Sequence, residues 1–214
     1  MDGLLLDSEI LWHQAEVEIF GTLGVPLSDA MGRSTKGMYV NEVVRFWFSQ
    51  YPWPGPSETA VVDMLLARVG ELVETEGRLL PGAGRALDLT GERGPLALAS
   101  STPMALIVRC LKHFDLQDRF VSIHSAEFEP YGKPHPGVFL SAATSLGVAP
   151  GACLVLEDSP AGVLAAKSGT MTVVAVPTSE DVSRPEFALA DLVLSSLEEL
   201  EASWLDERFL RESS

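Results

Sequence analysis

The sequence predicts a doubly wound α/β fold, a parallel sheet covered by helices on both faces, interrupted near its start by a helical insertion. Three observations carry this. From residue 95 onward, short apolar runs alternate with segments of helical period, the pattern of buried parallel strands joined by crossover helices. Residues 12–78 carry helical patterns and no strand pattern. Hydroxyl, amine and carboxylate side chains follow the apolar runs, at the ends where open parallel sheets bind ligands.

The elements read in order as follows. Over residues 8–23, Leu11, Ala15, Val17, Ile19, Phe20 and Leu23 recur near helical spacing, and Gly24 stops the helix. Residues 38–51 and 57–76 read as two more helices. The stiff turn Tyr51-Pro52-Trp53-Pro54-Gly55-Pro56 separates them, and Ser57 is placed to cap the second. Leu80-Pro81-Gly82 then breaks the pattern. Strands are expected at Pro95–Ala99, Phe120–Ile123, Cys153–Leu156, Thr172–Val176 and Leu192–Leu194. Helices are expected at Pro103–His113, Pro136–Leu146 and Pro160–Ser168. The α/β core is thus 1–11 with 79–214, and 12–78 is a helical block placed where a lid sits.

Composition narrows the function. With 214 residues, 46% of them hydrophobic, the chain can build one such core with its insertion. A formal charge of −15 argues against nucleic acid and anionic membranes as partners. It leaves room for a small phosphorylated substrate, because one metal ion and one Lys invert the local field. Cys110 and Cys153 lie in apolar segments and read as buried, reduced thiols of a cytoplasmic protein. No signal peptide and no apolar run long enough to span a bilayer appear. A monomer is expected.

Four places at the strand ends carry chemistry. Asp2 opens the chain; Ser100 and Ser101 follow Leu96-Ala97-Leu98-Ala99; Lys133 sits in Tyr131-Gly132-Lys133-Pro134; Glu157 and Asp158 follow Leu154-Val155-Leu156. A hydroxyl, a Lys and paired carboxylates converging on one rim suit a metal-assisted phosphate site. Each has a plainer role as well. Ser100 can cap the helix near Pro103, Asp158 can cap the one from Pro160, and Asp7 either caps the first helix or tunes the loop before it. His13, His113, His124 and His135 show no metal-ligand spacing and read as structural or surface residues. Tyr51, Trp47 and Trp53 read as core of the helical block rather than as a sugar platform.

Several of these strings together resemble the haloacid-dehalogenase superfamily. They are Asp2-Gly3-Leu4-Leu5-Leu6-Asp7-Ser8-Glu9, Leu98-Ala99-Ser100-Ser101, Ser125-Ala126-Glu127, Lys133-Pro134-His135-Pro136 and Leu156-Glu157-Asp158-Ser159, with Gly162 and Gly169. The branch is the β-phosphoglucomutase-like one, with a Rossmann-like core and a small helical cap. Within it, Gln50–Ser57 and Leu79-Leu80-Pro81-Gly82 resemble the bacterial hexitol phosphatases.

The resemblance implies a two-step phosphoryl transfer from a small phosphorylated sugar or polyol. An Asp carboxylate attacks phosphorus to form an aspartyl-phosphate. Asp2 protonates the leaving oxygen as general acid, then as base activates the water that hydrolyses the intermediate. Mg²⁺ is the implied cofactor, held by the nucleophile, the Asp2 carbonyl and Asp158, with Glu157 a further ligand or a support behind it. Ser100, Ser101 and Lys133 are the implied phosphate-binding groups. The nucleophile of the Asp-x-Asp-Gly signature falls before Met1. The sequence as it stands is therefore expected to lack the first strand and the attacking carboxylate, and to be inactive. A phosphosugar mutase and a non-catalytic phosphosugar- or partner-binding remnant are the alternatives. Such mutases carry His where this chain has Trp12, which favours the phosphatase.

Overall fold

The computed structural model describes residues 1–32, 35 and 38–209. The chain packs as two compact units: Asp7–Arg78, and Met1–Leu6 together with the chain from Leu79 onward. Each unit ties its own two chain segments at the boundary together by backbone bonds. Leu6 bridges Leu79 antiparallel, and the Asp7 N–H donates to the Arg78 carbonyl at 3.0 Å.

The helical unit holds α1 (Glu9–Thr22), α2 (Asp29–Gly32), α3 (Val40–Gln50) and α4 (Glu58–Glu76). Its core is Phe20, Val44, Trp47, Trp53, Val61 and Leu65, all buried. Phe20 meets the Trp47 and Trp53 rings at 6.5 Å and 6.2 Å. Tyr51 departs from the expectation: it ends α3 and is exposed. Ser57 caps α4 by accepting from the Ala60 N–H, and the Trp53 indole donates to the Pro56 carbonyl at 2.9 Å, which fixes the proline turn.

The α/β unit runs α5 (Ala83–Gly91), β1 (Ala97–Ser100), α6 (Met104–His113), β2 (Ser122–Ser125), α7 (Gly137–Leu146), β3 (Leu154–Glu157), α8 (Pro160–Ser168), β4 (Thr172–Ala175), β5 (Leu192–Val193) and α9 (Ala202–Phe209). All strand pairs are parallel. β1 pairs with β2, Ala97 opposite Ser122 through Ser100 opposite Ser125. β4 pairs with β3 on one side and β5 on the other. All four β4 residues are buried, as a strand covered on both faces requires.

The strands form two parallel sheets, β1-β2 and β3-β4-β5. Among the described residues no strand lies between β1 and β3, and both border an apolar cavity of about 250 Å³. Three further differences have local causes. The first strand residues of β2 are Ser122 and Ile123, not Phe120, because register against β1 overrides the apolar run. Helix α5 buries Ala83, Ala86 and Leu87 over only nine residues, too little periodicity to read. Helix α9 buries Leu205 alone. Of the two free thiols, Cys110 is buried and Cys153 half-buried.

Glycine is required at the entry to α5. Gly82 has φ 80°, and a Cβ there would overlap the Leu197–Glu198 backbone. Arg85, one turn on, donates to the Leu200 carbonyl at 2.6 Å and holds the same contact.

Candidate active site

The carboxyl ends of β1 and β3 meet the Asp2-Gly3 turn. Gly3 sits at φ 68°, and its N–H donates to the Leu6 carbonyl at 2.9 Å. The side chain of Asp158, just past β3, lies so close to Gly3 that a Cβ there would overlap its Oδ2. Only glycine lets the two segments approach in this way.

Asp2 and Ser100 are joined through a residue that sequence reasoning passed over. Thr102 Oγ1 donates to Asp2 Oδ2 at 2.6 Å. Ser100 Oγ donates to Thr102 Oγ1 at 3.1 Å and accepts from the Thr102 N–H at 3.2 Å. Ser125, at the end of β2, donates to the Thr102 carbonyl at 2.7 Å and fixes the turn from below. The signal for Thr102 was its hydroxyl two residues past Ser100, within reach of whatever Ser100 serves. Ser101 lies half-buried between them. Neither Ser100 nor Asp158 caps a helix through its side chain: Pro103 precedes α6, whose Met104 N–H donates to Glu127 Oε2 at 2.9 Å, and Ser159 caps α8 by accepting from the Gly162 N–H at 3.0 Å.

Lys133 and Glu157 form the second group. The Lys133 ammonium pairs directly with Glu157 Oε1, with side-chain exposures of 10% and 6%. It also lies 4.6 Å from the centre of the Phe139 ring. Glu157 Oε2 accepts from the Asp158 N–H, the Ser159 N–H and the Ser159 hydroxyl at 3.0, 3.0 and 2.9 Å. A Cβ at position 162 would overlap this carboxylate, so Gly162 makes its room. Burial alone would raise the Glu157 pKa; the Lys133 ammonium and the Ser159 donor instead hold it well below the usual carboxylate range. Burial, with repulsion from Glu157, pushes Asp158 up to about 7. The N-terminal ammonium and the Lys133 ammonium offset this only in part, so a cation beside Asp158 would add compensation for its charge.

Among the described residues no three His, Cys, Asp or Glu side chains gather as a ready-made metal cage. The acid chemistry available is sparser: Asp158, with the Asp2 backbone close by through Gly3. Mg²⁺ fits such a set, because it keeps waters and takes one or two carboxylates plus substrate oxygens. The chemistry within reach of the rim is thus a carboxyl group positioned by a hydroxyl, a second hydroxyl, an ammonium and a carboxylate suited to a cation.

Known proteins resemble this chain along most of its length. Residues 1–170 match the family model for haloacid dehalogenase-like hydrolase. Hexitol phosphatase B of Escherichia coli (strain K12) is 45% identical over 204 residues, covering 94% of this chain and 92% of that protein. Beta-phosphoglucomutase of Bacillus subtilis is 28% identical over 225 residues, covering 100% and 96%. Among solved structures, CbbY from Rhodobacter sphaeroides in complex with phosphate aligns with a TM-score of 0.81 at 27% identity, covering 94% and 93% of the two chains. The chain belongs to the haloacid dehalogenase-like hydrolases.

Proposed function

We propose that the protein is a Mg²⁺-dependent phosphatase acting on a small phosphorylated sugar or polyol, hexitol phosphates foremost. The observation that carries this is the meeting of the Asp2–Thr102–Ser100 group and the Lys133–Glu157–Asp158 group at one pair of strand ends. Asp2 serves as general acid and then base, with Thr102 holding its carboxyl in place. Ser100, Ser101 and Lys133 bind the transferring phosphoryl oxygens. Asp158 and the Asp2 carbonyl would hold Mg²⁺, whose chemistry is to neutralise charge on those oxygens. Glu157 fixes Lys133 and does not itself need the metal. The helical unit is the cap that selects the sugar.

The attacking carboxylate of the signature is not among the 214 residues, so this chain by itself should release no phosphate. The same reading takes the protein as a cytoplasmic monomer that binds neither nucleic acid nor membrane. Its formal charge of −15 supports this, and no helix of the described residues is long and apolar enough to cross a membrane. The mutase reading keeps one support, the 28% identity to a beta-phosphoglucomutase along the whole chain. Trp12, in place of the His of such mutases, stands against it.

The test is phosphate release from a panel of hexose, hexitol and deoxysugar phosphates, with Mg²⁺ and with chelator. It compares this chain with the same chain preceded by a short apolar strand ending in Phe-Asp. Magnesium-dependent release by the extended chain alone is the expected result. Isomerised sugar phosphate in place of free phosphate makes it a mutase. Silence of a well-folded extended chain leaves only a phosphosugar- or partner-binding role. Turnover by the shorter chain would show that the nucleophile lies elsewhere.

A further inference from the structure

We propose that Glu127 is a positioning residue of the phosphate site: from the end of β2 it holds the Ser100–Thr102 turn, at the end of β1, in place beside Asp2. The inference rests on the phosphatase reading, in which Ser100 and Ser101 take phosphoryl oxygens and Thr102 orients Asp2. Glu127 itself is exposed and bonds Met104, outside that machinery.

The parallel register sets Ser100 opposite Ser125, so the two chains leave the sheet side by side. Two residues on, Thr102 and Glu127 stand at matching places. Three hydrogen bonds then join the two exits. Ser125 Oγ donates to the Thr102 carbonyl at 2.7 Å, the Glu127 N–H donates to Ser125 Oγ at 3.1 Å, and the Met104 N–H donates to Glu127 Oε2 at 2.9 Å. Pro103, between the bonded Thr102 and Met104, offers no N–H. Glu127 thus grips the turn on both sides of the proline, by its N–H through Ser125 and by its carboxylate directly. A single 3-10 turn over Ala126–Phe128 aims it.

The source of this cap gives it a function. A Ser or Asp just before α6 would satisfy the first N–H groups of the helix and leave the turn free to move with it. An acid from the end of β2 ties both the helix start and the turn to the sheet. The turn carries the bond from Thr102 Oγ1 to Asp2 Oδ2 at 2.6 Å, and such a group serves catalysis only when held to within about 0.5 Å. Because Glu127 is exposed, replacing it leaves no buried charge behind.

The test titrates inorganic phosphate into the full chain with Mg²⁺ present, followed by phosphorus NMR, for the unaltered protein, Glu127→Ala and Glu127→Gln. Both variants remove the charge and only Gln keeps an acceptor for Met104, so their difference reads the bond alone. Glu127→Ala is expected to bind phosphate about fivefold more weakly than Glu127→Gln. Amide exchange at Thr102, whose N–H bonds Ser100 Oγ rather than Glu127, is expected to quicken about fivefold in the Ala variant alone. Equal phosphate affinities of the two variants, or faster exchange at Met104 with Thr102 unchanged, would overturn the proposal: Glu127 would then cap α6 and nothing more. Absence of phosphate binding by the unaltered protein would overturn the phosphatase reading and this role with it, a result distinct from a loss confined to Glu127→Ala.

Discussion

Thr102 is the residue through which the β1 side of the rim acts. Its hydroxyl donates to Asp2 at 2.6 Å while accepting from Ser100 at 3.1 Å. Thr102→Val keeps the shape and removes the donor. In the strand-completed chain we expect kcat to fall by roughly 10- to 100-fold with KM nearly unchanged, the signature of a misplaced acid rather than lost binding. Thr102→Ser should recover most of the rate. A purely structural role would move the thermal midpoint and leave the pH–rate profile in place. The Lys133–Glu157 pair makes a sharper demand, because both side chains are buried. Lys133→Met strands a buried carboxylate and is expected to cost about 3–5 kcal/mol. The Lys133→Met/Glu157→Gln double variant should cost clearly less, since the Gln carbonyl still accepts from Ser159. Urea unfolding of the two singles and the double gives the coupling, and additive costs would mean that the ion pair is not formed in solution.

At the scale of elements, α1 carries a titration that no sequence pattern announced. Burial raises the Glu16 pKa from 4.5 to about 7, and His13 one turn earlier opposes the shift. A carboxyl with a raised folded-state pKa favours folding in its protonated form. Its contribution is complete below about pH 4.5 and is lost as pH rises through about 7. The helical unit should therefore lose stability on the order of 3 kcal/mol over that window. Glu16→Gln should flatten the dependence. Three of the four tryptophans, Trp12, Trp47 and Trp53, lie in this unit, so urea midpoints by tryptophan fluorescence at pH 4.5 and pH 8 measure it. Equal slopes for the two proteins would remove Glu16 as the cause. What could be read beforehand follows the same physics. The helices α1, α3 and α4, and the strands β3 and β4, announce themselves through apolar spacing that burial then uses. That Ser100 and Asp158 stand at the ends of strands was readable from the apolar runs before them. The bond from Thr102 to Asp2 was not, because the two lie far apart in sequence.

For the molecule as a whole, the cavity beside β1 and β3 reverses the usual sign of an enlarging core substitution. Placing Leu at a packed Ala position forces strain and costs about 1–3 kcal/mol. Ala142 on α7 is buried and lines this cavity, so the added carbons of Ala142→Leu have open space to enter. At roughly 0.8 kcal/mol per buried methylene the variant should gain about 1–2 kcal/mol. For a chain of this length that raises the thermal midpoint by roughly 2–8 °C. A lower midpoint for Ala142→Leu would mean that the two sheets close on each other in solution.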